Sequence, residues 1–251
     1  MPDLSLWVNT PYDWILLFVC ALLIGMSKTG IQGITLLVIP LMAINFGAKP
    51  STGLILPMLC FSDLIAIYYY RRMAEWKYIF KLLPAAIIGF FLAIAVDWLI
   101  PANEFRKLMG ICIFIGIVVM FWMEKRGKDS KVYTSWWYAP SFGLMGGFTT
   151  MIGNAAGPVM SVYLLSMKLP KYSFVGTSAW FFLVVNYLKL PLQIFVWDNI
   201  SPATIALNII SIPFMVIGAL AGVYFVKIIP EKSYRIFIIA VTILSTVALL
   251  F

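Results

Sequence analysis

Eight apolar runs, at 14–44, 50–70, 78–98, 106–123, 137–166, 172–196, 203–228 and 233–250, occupy nearly all of this 251-residue chain. Each approaches or exceeds the ~20 residues a helix needs to cross about 30 Å of hydrocarbon. A chain that is 63% hydrophobic and only 11% charged cannot hide that much apolar surface in a soluble core, so the runs must meet lipid. Lipid satisfies no backbone group, and runs of this length close their own hydrogen bonds only as helices. The fold expected is an all-α integral membrane protein. No short apolar segment with a small-residue cleavage site precedes the first run, so no removable leader is expected.

The formal net charge of +8 does not point to nucleic acid. The Lys and Arg sit almost entirely in the short connections, where they report topology. Cys20, Cys60 and Cys112 lie inside apolar runs with no Cys-x-x-Cys spacing and read as core residues. Histidine is absent, which removes the commonest general base and metal ligand. No cofactor is expected. A membrane-embedded enzyme would also need convergent catalytic groups, and no phosphate-binding loop for ATP is present.

Two runs, 14–44 and 137–166, are broken near their middles by glycine and small polar residues, at Gly25 to Gly33 and at Gly146 to Pro158. Each is either one long broken span or a re-entrant hairpin of two half-helices. Counting charge decides. With two hairpins, the connections near 71–81, 125–131, 168–171 and 227–235 share one side and hold thirteen of the eighteen Lys and Arg. The other side keeps Lys49, Arg106 and Lys107, and Lys28 and Lys189 stay within the membrane. Only the hairpin arrangement obeys the positive-inside rule. It puts both termini outside an inner membrane and the basic loops in the cytoplasm.

Each half is then a broken or re-entrant helix hairpin plus three transmembrane helices, and an odd number of crossings inverts the second half relative to the first. Pro84, Gly89, Pro101 and Arg106 recur as Pro213, Gly218, Pro230 and Arg235, each 129 positions later. The expected organisation is a first inverted-topology repeat over 1–123, a basic cytoplasmic linker over 124–135 and a second repeat over 136–251.

Half-helices that end at the midplane leave amides unpaired, and an N-terminal end carries about half a positive charge, so two such ends can hold an anion. Gly30, Gly33, Gly153 and Gly157 let backbone approach a ligand. Ser27, Thr29, Gln32, Thr149, Thr150 and Asn154 offer hydrogen bonds to oxyanion oxygens. Small residues also serve close helix packing, and the pairing of two polar breaks is what favours a substrate site. Lys28 within the first break needs compensation, from a bound anion or from Asp63, the one carboxylate well inside an apolar run; snorkelling to the surface is its other option. Asp63 reads either as a proton-coupling group or as a structural counter-ion. Asn186 takes the corresponding place in the second half, with Lys189 one turn later, and Thr177 and Ser178 follow Gly176 on the same run. Trp7, Trp14, Trp76, Trp98, Trp122, Trp136, Trp137 and Trp197 fall near segment ends and read as headgroup anchors. Trp180, inside its run, either walls a pathway or packs.

The chain resembles the TauE/SafE family of sulfite exporters and organosulfur anion permeases. The resemblance covers nearly the whole sequence. It rests on the duplicated glycine-rich breaks, on the run Leu37 to Leu41, on Lys49-Pro50-Ser51-Thr52-Gly53, and on the stretch from Pro170 to Gly176-Thr177-Ser178. A glycine triplet usual at the breaks is interrupted by Gln32 in the first and replaced by Asn154-Ala155-Ala156 in the second. The resemblance implies a secondary transporter of sulfite, thiosulfate or sulfonates; residue patterns alone reach only "small anion", and an anion channel would share such a site. The partners expected are that anion and the lipid bilayer, with no nucleic acid; the oligomeric state is not legible.

Overall fold

The computed structural model describes residues 4–5, 7–31, 34–101 and 135–230, together with 104, 105, 107, 108, 111, 233, 236 and 240. Gln32, Gly33, Cys112, Trp122, Arg106, Arg235, the body of the linker and most of the runs at 106–123 and 233–250 lie outside the described residues. The described elements are eight helices: α1 (Pro11–Thr29), α2 (Thr35–Phe46), α3 (Ala48–Tyr70), α4 (Trp76–Leu99), α5 (Tyr138–Gly153), α6 (Gly157–Ser166), α7 (Lys171–Phe195) and α8 (Pro202–Ile228). Five of them, α1, α3, α4, α7 and α8, are long and apolar enough to cross a membrane, while α2 and α6 are shorter.

Local chemistry sets the helix boundaries. Thr10 caps α1 and Asp13 reaches back to the cap backbone, with Pro11 opening the helix; Ser201, Thr204 and Pro202 do the same for α8. Both are capping boxes, which satisfy amides that the helix itself leaves unpaired. Gly47 alone joins α2 to α3, at φ +89°, a backbone that glycine adopts without a Cβ penalty. Asn154 ends α5 in the left-handed region at φ 56°, one of the few non-glycine side chains that tolerates it.

The chain reverses at both breaks. At the open end of the α1–α2 pair, Asn45 donates to Asp13 at 2.9 Å and Trp7 lies 6.2 Å from Phe46, ring centre to ring centre. At the open end of the α5–α6 pair, the Tyr138 hydroxyl donates to Ser166 at 2.9 Å. Lys49 beside Asp97 places the start of α3 near the end of α4. The backbone of Glu75 donating to Thr177 places the start of α7 near the start of α4.

Packing pairs α1 with α8 and α4 with α5 most extensively, with α3 against α7 between them. The contacts are made by glycine. A Cβ on Gly25 would collide with the Met215 carbonyl and one on Gly218 with that of Leu22; a Cβ on Gly147 would collide with the Ala86 carbonyl and one on Gly89 with that of Leu144. Backbones this close need small residues in both helices.

The outer surface carries Ile15, Tyr68, Phe80, Phe91, Ile209 and Tyr224, all largely exposed, while Ser27, Asp63, Thr150, Asn186, Lys189 and Gln193 are buried. An apolar exterior around a polar interior is the arrangement of a protein dissolved in lipid. Cys20 and Cys60 are free and buried. Trp76, Trp98, Trp136 and Trp137 are exposed, but Trp197 is 6% exposed and meets Phe105 edge-on. It is a packing residue rather than an anchor, because the Lys49 ammonium lies 5.0 Å over its ring. Trp180 packs on Trp76 and donates to the Arg71 carbonyl at 3.3 Å.

Candidate functional site

Lys28 stands one residue before the end of α1 and points inward, its Nζ 2.9 Å from Asp63 Oδ1 and 4.1 Å over the Phe182 ring. It does not snorkel. The two form a close ion pair. The other carboxylate oxygen accepts from Asn186 Nδ2 at 2.6 Å. Asp63 is fully buried on α3 and Asn186 on α7, so the two positions matched in the sequence face each other directly.

The second lysine is deeper. Lys189 is 0% exposed and donates to the Thr150 carbonyl at 3.0 Å, to Thr150 Oγ1 at 3.0 Å and to Asn154 Oδ1 at 2.7 Å. Three acceptors match the three N–H groups of a charged ammonium, yet no carboxylate touches it among the described residues. Two lysines and one aspartate thus stand together, and with all three ionised one positive charge is unbalanced in surroundings where that is costly.

Beside these groups is a cavity of about 30 Å³, bounded by Ser27 and Lys28 from α1, Thr35, Leu36 and Ile39 from α2, Leu59 from α3, Thr150 and Asn154 at the end of α5, Gly157 from α6, and Ser178, Ala179, Phe182 and Asn186 from α7. About 10–15 Å³ already admits a water, so the space accommodates a few waters or one compact oxyanion. The first turns of α2 and α6 both border it, and neither helix has a side-chain N-cap. Their dipole ends add positive potential to that of the lysines.

Of the residues singled out in the sequence, Ser27, Lys28, Thr150, Asn154, Gly157, Ser178 and Asn186 border the cavity, with Asp63 and Lys189 bonded to its walls. Others are turned elsewhere. Thr29 donates to the Ala219 carbonyl at 2.7 Å, Gly30 packs on Gly222, Thr149 bonds back to Met145 at 2.9 Å, and Thr177 accepts from the Glu75 backbone. Gly153 is the last residue of α5 and is not among the cavity-bordering residues. Sequence reasoning did not single out Thr35, whose hydroxyl donates to Ser27 Oγ at 2.7 Å, or Phe182 over Lys28; an i, i+4, i+8 spacing of Ser178, Phe182 and Asn186 was the available signal. It also missed Thr52 and Gln193, both buried. Thr52 accepts through its carbonyl from Asn154 at 3.2 Å. Asn199 donates to Gln193 at 3.1 Å and to the Lys49 carbonyl at 3.2 Å, so polar groups run from Lys189 towards Lys49 at the end of the molecule.

No curated protein and no solved structure matches the chain. Residues 17–249 match the family described as sulfite exporter TauE/SafE. That match takes in every helix around the cavity and nearly the whole sequence, and it is a family of membrane transporters: the chain belongs to the TauE/SafE sulfite exporter family.

Proposed function

We propose that this protein is a secondary transporter of small anions across a bacterial inner membrane, with sulfite, thiosulfate or organosulfonates as substrates bound in the cavity between the two breaks. The observation that carries the reading is the cluster of charged side chains at one cavity: Lys28 lines it, Lys189 and Asp63 are bonded to its walls, and two helix N-termini without side-chain caps border it. A bound anion balances that charge and faces the positive ends of both helix dipoles. Ser27, Lys28, Thr150, Asn154 and Gly157 are its nearest contacts in this proposal, with Asn186, Ser178 and Lys189 behind them.

The transporter is built from two inverted halves, 1–123 and 136–251, joined by the basic linker, each with one re-entrant hairpin. Reciprocal packing supports this: α1 meets α8 as α5 meets α4, and the glycine contacts correspond, Gly25 to Met215 as Gly147 to Ala86 and Gly218 to Leu22 as Gly89 to Leu144. Both termini lie outside. Coupling follows from the same cluster. An anion on Lys28 competes with the Asp63 carboxylate for one ammonium, and protonating Asp63 removes the competitor, so anion and proton binding favour each other.

The test is counterflow and pH-gradient-driven flux in proteoliposomes over a panel of oxyanions. Saturable exchange of sulfur oxyanions is expected, with Asp63→Asn keeping exchange and losing the response to the pH gradient. Absence of saturable exchange for every oxyanion would remove the reading.

A further inference from the structure

The orientation of the Asn186 amide is forced by its neighbour. Nδ2 donates to Asp63 Oδ2 at 2.6 Å, and a carboxylate cannot be approached by the amide oxygen instead, because both would be acceptors. The amide oxygen Oδ1 is therefore turned away from Asp63. It is buried with no partner among the described residues, on a residue that borders the cavity. Ser178, two turns earlier on α7, borders the same cavity at 1% exposure, and its hydroxyl is likewise unpartnered. A hydroxyl adapts as donor or acceptor, whereas an amide oxygen only accepts. The wall thus holds a cation, an adaptable hydroxyl and one acceptor that waits for a donor.

Resting on the anion-site reading above, we propose that the bound species is a monoanion carrying its own hydrogen-bond donor, of the hydrogensulfite type: its acid oxygens face Lys28 and Ser178, and its O–H is donated to Asn186 Oδ1. Two independent features select this form. Counted with all three side chains ionised, the buried cluster of Lys28, Lys189 and Asp63 holds two cations and one anion, an excess that a single negative charge neutralises, whereas a dianion beside ionised Asp63 leaves a buried excess negative charge. The Asn186 acceptor discriminates in the same sense, because a fully deprotonated oxyanion brings only acceptors and leaves Oδ1 unmade and facing negative charge. Asp63 accordingly has two tasks here: it orients the Asn186 amide, and it holds the cluster at one positive charge.

The experiment is equilibrium binding to the purified full-length protein in nanodiscs, at one pH, with three probes: hydroxymethanesulfonate, a monoanion with an O–H donor; methanesulfonate, the same head group without it; and sulfate, a dianion. Hydroxymethanesulfonate is expected to bind about tenfold more tightly than methanesulfonate, the effect of one buried hydrogen bond, with sulfate weakest. Sulfite, which interconverts with hydrogensulfite near neutral pH, should bind more tightly as the buffer is acidified, while methanesulfonate affinity stays flat. Asn186→Leu should erase the advantage of the hydroxyl probe, so that hydroxymethanesulfonate and methanesulfonate bind alike whatever their common affinity. If that variant fails to fold, the wild-type series decides alone. Equal affinity for the two sulfonates, or sulfate binding most tightly, would overturn the proposal with the anion site intact; no binding of any probe would remove the anion site as well.

Discussion

At the scale of single residues, the site turns on charge that is buried without a matching counter-charge. Lys189 is held by a carbonyl, a hydroxyl and an amide oxygen, which satisfy its geometry but not its charge. Lys189→Met keeps the length of the side chain and removes the cation. Oxyanion affinity should fall about 30-fold or more, equivalent to ~2 kcal/mol for truncating one member of a buried charged contact; calorimetric titration of the monodisperse protein measures it. Glycines divide into two kinds. A Cβ on Gly157 meets nothing within 4 Å, whereas one on Gly147 runs into the Ala86 backbone. Gly157→Leu should therefore leave thermal unfolding in detergent nearly unchanged and abolish oxyanion binding by filling the cavity. Gly147→Ala should lower stability by about 1–3 kcal/mol, the usual cost of overpacking.

At the scale of elements, each hairpin is closed at its open end by a hydrogen bond between the first helix and the second. Tyr138 to Ser166 closes one and Asn45 to Asp13 the other, where Asp13 also accepts from the backbone of Asn9 and Thr10. Tyr138→Phe removes a single neutral hydrogen bond and should cost about 1 kcal/mol. Asp13→Ala removes the capping-box carboxylate and the hairpin tie together and should cost more. Thermal unfolding of the two variants in the same detergent gives the order; a larger loss for Tyr138→Phe would contradict it. These ties matter for function because a half-helix such as α6, with ten residues, contributes its N-terminal amides to the cavity only while the rest of the hairpin holds it there.

At the scale of the whole molecule, the proposed arrangement is a test of sidedness. Thirteen of the eighteen Lys and Arg belong to connections assigned to the cytoplasm, so a cysteine at position 128 should react with an impermeant thiol reagent only from the inside, and one at position 198 only from outside. Labelling of position 128 in intact cells would overturn the proposed topology. The interface pattern adds a second expectation. Gly89→Ala and Gly218→Ala replace glycines that meet carbonyls at Leu144 and Leu22, so they should destabilise by similar amounts if the halves are built alike.

Much of this was legible without a structure, because lipid imposes a simple rule: a helix that crosses it must be apolar along a known length, so the spans α3, α4, α7 and α8 could be bounded within two residues of where they run. Polarity inside such a run is expensive, so Lys28, Asp63, Asn186 and Lys189 stood out by cost alone, and three of them meet in contact. What composition could not say is which way a polar side chain faces at a break. Thr29 and Thr150 look alike in sequence, yet one is spent on the α8 backbone and the other receives Lys189. Nor could spacing reveal that, among the described residues, Lys189 meets no carboxylate and Asn186 offers an unpaired oxygen, or that Phe182 covers Lys28. The number and length of the helices follow from one-dimensional hydrophobicity; partners follow from which helix faces pack together, and that is decided by glycine contacts between segments separated by some 60 to 190 residues in the chain.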